Sequence, residues 1–176
     1  MSFEIPVIET ERLILRGRRL EDFPAYAAMW AHPEVVRYIG GKPLTQEEAW
    51  VKFTRQAGFW ALKGYGFWAL EEKASGAFVG DAGAADFKRD LEPSLEGKPE
   101  FGWSLMPSAQ GKGYATEAIK AGLEWAREAL SATTYSCIID SANAPSLRVA
   151  EKCGFRKVVE TTYKGSPTLI LEQPAA

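Results

Sequence analysis

With 176 residues, 46% of them apolar and 25% charged, the chain suits one soluble domain, residues 1–176, with ample material for a core. A net charge of −2 without a basic stripe argues against a nucleic-acid surface. No apolar run approaches the ~20 residues of a membrane span.

The opening Met-Ser-Phe-Glu-Ile-Pro lacks the basic and apolar regions of a signal peptide, so a cytoplasmic protein is expected. Thr10 to Arg16 alternates polar and β-favouring residues and reads as a first strand. Leu20-Glu21-Asp22-Phe23-Pro24 opens a helix to about Ala31, with Asp22 as its N-cap and Pro24 tolerated in the first turn. Pro33 disfavours helix at His32, and Glu34 to Tyr38 supplies one further turn before Gly40-Gly41. Thr45-x-x-Glu48 is a capping box for a second long helix through Trp50, Phe53 and Ala57, ended by Gly64 and Gly66. Phe67 to Glu72 and Ala77 to Gly83 form a hairpin around Ser75-Gly76, and the polar stretch Lys88 to Pro99 is an exposed connection.

Phe101 to Met106 then has the length and aromatic content of a buried strand, broken by Pro107-Ser108. Gln110-Gly111-Lys112-Gly113 supplies a glycine turn. Behind it Ala115, Ala118, Ile119, Gly122, Leu123, Ala126, Ala129 and Leu130 mark one face of a helix. Strand, glycine turn and helix together gather backbone N–H groups at the positive end of a helix dipole, a place suited to phosphate or pyrophosphate. A Walker loop is excluded because Met106 stands where its first glycine belongs and Gly113 where its hydroxyl belongs; a dinucleotide fingerprint is excluded by Thr116 at its third glycine. Tyr135 to Ile139 is a compact strand. Asn143-Ala144-Pro145-Ser146 starts a helix in which Leu147, Ala150 and Cys153 share a face, with Gly154 at its C′ position. Phe155 to Thr162 and Thr168 to Leu171 close the chain as two strands. The order is βαα-βββ-α-β-α-ββ, an α/β architecture on one mixed, mostly antiparallel sheet flanked by helices. The two cysteines, Cys137 and Cys153, read as reduced core thiols, and a lone histidine, His32, makes a metal site an unsupported reading.

Gln110-x-x-Gly113-x-Ala115 resembles the Arg/Gln-x-x-Gly-x-Gly/Ala signature of the GNAT superfamily of N-acetyltransferases. Asn143-Ala-Pro-Ser146-Leu-Arg-Val-Ala-Glu-Lys152-Cys-Gly154-Phe155 is similar to a second segment common in that superfamily, and its distance from the glycine turn also matches. Thr10 to Arg16, Trp68, Phe78-Val79-Gly80 and Gly83 further resemble the ribosomal-protein N-terminal acetyltransferase branch.

The resemblance implies the GNAT fold and transfer of an acetyl group from acetyl-CoA to a primary amine, either a protein N-terminus or a small molecule. It implies coenzyme A contacts from the loop residues Gln110, Gly111, Lys112, Gly113, Tyr114 and Ala115, with a hydroxyl from Thr116. Ser104, Leu105 and Met106 would offer the backbone N–H that polarises the thioester carbonyl, and Asn143 would meet the pantetheine amides. Glu100 stands where some family members keep a catalytic glutamate; Asp81 and bound water remain alternatives for the base. Ser146 occupies the region where a tyrosine acid is common, and it is a weaker acid that suits orientation of the thiol or a water. The helices from Phe23 to Leu62 and the Lys88–Pro99 connection are expected to border the acceptor. A sensor that binds acyl-CoA without turnover, or an interaction module, is the reading from another class, and the oligomeric state is open.

Overall fold

The computed structural model describes residues 4–176, so Met1, Ser2 and Phe3 of the opening read for a leader lie outside the described residues. Eight strands form one sheet: β1 (Ile8–Glu9), β2 (Leu13–Arg16), β3 (Phe67–Glu72), β4 (Phe78–Ala85), β5 (Glu100–Leu105), β6 (Thr134–Asp140), β7 (Arg156–Tyr163) and β8 (Ser166–Pro174). Their order is β1-β2-β3-β4-β5-β6-β8-β7, and every neighbouring pair is antiparallel except β5–β6. Five helices accompany them among the described residues: α1 (Phe23–Trp30), α2 (Pro33–Val36), α3 (Gln46–Lys63), α4 (Tyr114–Ala129) and α5 (Ala144–Lys152). This is the expected architecture with one short addition, β1; α2 is the further turn expected over Glu34 to Tyr38, and it begins at Pro33 and ends at Val36.

The first strand is shorter than its alternation suggested. The Thr10 N–H donates to the Leu13 carbonyl at 2.9 Å and the Leu13 N–H to the Thr10 hydroxyl at 3.0 Å, which closes a tight turn between β1 and β2 and leaves Thr10 to Arg12 outside the ladder. Asp22 also departs from expectation. It precedes α1 but does not cap it, because both its oxygens accept from Arg16 at 2.8 Å and one also accepts from the Arg19 N–H. Arg16 is buried, and a buried guanidinium needs carboxylates more than a helix end needs a cap; Glu71 accepts from its Nε at 2.6 Å. The capping box at Thr45 and Glu48 forms as read, with both reciprocal bonds present.

α4 lies on one sheet face. Ala115, Ala118, Ile119, Gly122, Leu123 and Ala126 are buried there, and Gly122 comes so close to the sheet that a methyl group would press on the Trp68 ring and touch Phe101. Ala129, predicted to continue this face, is exposed, although Leu130 after it still packs on the core. Since Phe101 points towards α4, the alternation of β5 sends Glu100, Gly102 and Ser104 to the opposite face. There α1, α2 and α3 contribute Tyr26, Met29, Trp30, Val35, Val36 and Phe53 to a second apolar cluster. Met106 touches both clusters, at the end of β5.

Candidate active site

The sheet opens between its two parallel strands. β5 and β6 share one register pair, Glu100 with Ser136, closed by the Ser136 N–H on the Pro99 carbonyl at 3.0 Å. Beyond it no further pair joins them. At the far end of β5 the Met106 N–H donates to Val79 of β4, so by alternation the N–H groups of Leu105 and Trp103 point away from β4 into the opening. Of the three positions 104–106, Leu105 is therefore the one whose backbone N–H faces the gap.

The glycine turn follows at the open end. Gly111 and Gly113 both sit at positive φ, 74° and 83°, a conformation that a side chain makes costly. Gly113 precedes the first residue of α4, and the N–H groups of Tyr114, Ala115 and Thr116 are the unpaired donors of that first turn by helix geometry. Backbone, helix dipole and opening are thus contiguous. The side chains of the loop turn elsewhere: Gln110 donates to the Leu105 carbonyl at 3.3 Å, and the Tyr114 hydroxyl donates to Glu72 at 2.5 Å. Lys112 is half-exposed, with its ammonium 4.0 Å from Glu72.

A contact that the sequence did not announce holds this loop. Arg12 donates from Nη1 to the Lys112 carbonyl at 2.7 Å, and its guanidinium stacks 4.7 Å over the Tyr114 ring. Its Nε and backbone N–H both donate to Glu117 at 2.8 Å, and Thr10 donates to the same carboxylate at 2.6 Å. Burial by itself would push the Glu117 carboxyl up, but these donors together outweigh it and hold the group below its ordinary value. The Thr10-Glu11-Arg12 stretch was legible as part of a resemblance, and this clamp is what its residues do.

Glu100 lies at the closed end of the gap. It is buried, and its two oxygens accept from Arg89 Nε and Nη2 at 2.6 Å each, while Arg89 Nη1 donates to the Tyr163 hydroxyl at 3.2 Å. Burial pushes its carboxyl up and Arg89 opposes that. Five residues along a strand separate it from Leu105, about 16 Å. A cleft of about 180 Å³ beside it is lined by Ala85, Phe87, Arg89, Leu95, Lys98 and Glu100, which puts part of the 88–99 connection next to this carboxylate.

Asp81 lies nearer the open end. It pairs in register with Ser104 across β4–β5, points to the face opposite α4 and is fully buried. Its one charged contact is Arg18 Nη2 at 3.5 Å, so burial dominates and its carboxyl is raised, with Arg18 and Lys52 opposing. On the other side of the gap Asn143 caps α5 by accepting from the Ser146 N–H at 3.3 Å, which sets Ser146 in the first turn of that helix. Cys153, at the end of α5, turns its thiol to the Thr116 carbonyl at 3.8 Å and couples α5 to α4. Cys137 is buried within β6, where burial raises its thiol well above the ordinary value, an environment that suppresses a thiolate nucleophile.

Among the described residues no group of three or more His, Cys, Asp or Glu is arranged to hold a metal ion, and no helix is long and apolar enough to cross a membrane.

Residues 12–156 match the family model described as an acetyltransferase (GNAT) domain. The uncharacterized protein YkkB of Bacillus subtilis (strain 168) is 30% identical over 149 residues, which cover 82% of each chain. The uncharacterized N-acetyltransferase p20 of Bacillus licheniformis is 25% identical over 149 residues, covering 84% of this chain and 81% of that one. Among solved structures, a putative GnaT-family acetyltransferase from Bordetella pertussis superposes with a TM-score of 0.84 at 30% identity, covering 96% of this chain and 99% of that one.

Proposed function

We propose that this chain, which belongs to the GNAT family of acetyltransferases, moves the acetyl group of acetyl-CoA directly onto a primary amine within one domain. The observation that carries this reading is the single-pair junction of β5 and β6, opening onto the N–H groups of Leu105 and of the first turn of α4. A thioester lying in that gap would have its carbonyl oxygen at the Leu105 N–H, with the pyrophosphate at residues 110–116. The amine attacks the carbonyl carbon, the new C–N bond forms, and the C–S bond breaks with its electron pair on sulfur. One proton leaves the nitrogen and one returns to the thiolate.

Asp81 is the base this geometry favours. It shares a face and a register position with Ser104, whereas both oxygens of Glu100 are occupied by Arg89. Glu100 then serves to hold Arg89 and the connection behind it. Ser146 fits a role in orienting a water or the thiol, as its hydroxyl is too weak an acid to act alone. A cytoplasmic setting suits the two free, buried thiols. The test is release of free CoA from acetyl-CoA with a panel of amines, coupled to mass detection of the acetylated product. Binding of acetyl-CoA without product from any amine would favour the sensor reading instead.

A further inference from the structure

The face above Asp81 holds more hydrogen-bond donors than the chain can use. Arg18 Nη1, the Tyr26 hydroxyl and Trp30 Nε1 are all buried without a partner, and Gln56 Oε1 beside α3's apolar face is a buried acceptor without one. These are four of the five such side-chain atoms among the described residues; Arg18 lies 5.1 Å from the Tyr26 ring centre, Tyr26 and Trp30 meet at 6.2 Å between ring centres, and Gln56 is buried on α3 one turn after Phe53. Native interiors rarely leave such groups unpaired, because each costs the full loss of its hydration. Their crowding at one place marks a site for something outside the chain.

The charges of this site are lopsided. Arg18 lies 5.1 Å from the Tyr26 and Phe53 ring centres, and the Lys52 ammonium lies 4.1 Å over Trp30. Arg55 and Arg89 both stack on Phe87, at 5.7 and 4.5 Å. Burial lowers the Lys52 ammonium to about 8; Asp81 raises it, while Arg55, Arg89 and Arg18 lower it further. Four cations therefore face two carboxylates, and Glu100 is already bound by Arg89. A polyamine or other polycation entering here would meet like charge in a poorly screened setting. An oxyanion would meet Lys52, which has no ion-pair partner among the described residues, and the unused Nη1 of Arg18, whose Nη2 faces Asp81, plus the neutral donors of Tyr26 and Trp30.

We propose that the acceptor is a small amine that also carries an oxyanion, a carboxylate or a phosphonate, received by Arg18 and Lys52 while its nitrogen lies towards Asp81. This acceptor class rests on the transferase reading of the site. The donors and acceptors of the cluster then match a zwitterion, with opposite charges a few ångströms apart as Arg18 and Asp81 are. Water that fills such a site gives way to the charged oxygens, whose bonds to Arg and Lys are the stronger ones.

Matched pairs test it: free amino acids against their amides, an aminoalkylphosphonate, and spermidine. The acids or the phosphonate are expected to exceed the amides in kcat/KM by about tenfold or more, the equivalent of one charge-assisted hydrogen bond. Whether carboxylate or phosphonate leads identifies which oxyanion is native. Lys52→Met is expected to shrink the acid-to-amide ratio chiefly through KM, with Lys52→Arg restoring it. Arg18→Met is the harsher version, and Lys52, which is only partly buried, supplies the variant that keeps its fold. Amides or spermidine used as well as the acids, or a ratio unmoved in Lys52→Met, overturns the oxyanion site. Calorimetry of the same pairs in the presence of CoA separates the two readings. If no amine is acetylated but acids still bind about tenfold tighter than amides, the oxyanion site stands and the transferase reading falls. Equal binding of acid and amide sinks the site whatever the turnover.

Discussion

Arg12 holds the Lys112 carbonyl at 2.7 Å across 100 positions of sequence, so the edge of the sheet fixes the loop proposed to receive the coenzyme. Removing that clamp should be felt at the donor and not at the acceptor. Arg12→Ala is expected to weaken acetyl-CoA binding about three- to tenfold, a partly exposed charge-assisted bond discounted for solvent. KM for the amine should stay as it was. Calorimetric titration with acetyl-CoA checks this, and an unchanged affinity would show that the loop holds itself.

The clamp also carries a pH dependence. Although burial alone would raise it, the Glu117 carboxyl is held below its ordinary value by Thr10, the Arg12 N–H and the Arg12 guanidinium. Its contribution to stability is therefore complete above the unfolded value, ~4.3, and is lost as pH falls through the lower folded value. Wild type should exceed Glu117→Gln in melting temperature at neutral pH, and the gap should close below about pH 4. A gap that persists in acid would mean that the pairing is not what stabilises the turn.

Gly113→Val attacks the loop from within. The φ of 83° already disfavours a β-branched residue, and a Cβ would lie 3.3 Å from Arg12 Nη2. Loss of measurable acetyl-CoA binding is expected, with the circular dichroism of the fold retained. Undiminished affinity would remove residues 110–115 from the coenzyme site.

The two carboxylates on the sheet face opposite α4, where the acceptor is proposed to lie, should part company on substitution. Asp81→Asn is expected to lower kcat/KM at neutral pH by about a hundredfold or more, the range of a lost general base, with recovery as pH rises towards the amine's own pKa. Glu100→Gln should act mainly on stability, because it leaves the partly buried Arg89 without its bidentate partner. Thermal denaturation and pH–rate profiles of both variants decide between them. A pH-recoverable loss in Glu100→Gln, with Asp81→Asn near wild type, would reverse the assignment.

Local chemistry made much of this legible. A capping box needs only Thr45 and Glu48 three residues apart, and the glycine turn needs only its own backbone, so both could be read from a few neighbouring letters. What escaped was set by register. That Asp81 meets Ser104, or that β5 and β6 share one rung, depends on how distant strands align, and no nearby residue encodes it. The partners of Glu100 and Asp22 were hidden for the same reason: Arg89 and Arg16 are brought to them by a connection and a strand whose course periodicity does not report. The exposed Ala129 shows the converse limit: a helical period marks a face but not which of its positions the neighbours cover.

A sheet joined at one rung is mechanically two plates. Strands β1 to β5 form one and β6, β8 and β7 the other, bridged beyond Glu100–Ser136 by side chains such as Phe101 against Tyr135 and Phe155. A coenzyme lying in the seam would act as mortar as well as reagent. At a hundred times its dissociation constant it would add about 2.7 kcal/mol to the folded state, a large share of the stability of a typical domain. The lifetime of the protein in a cell would then follow the supply of its own substrate, with the plates parting most readily when acetyl-CoA and CoA run low.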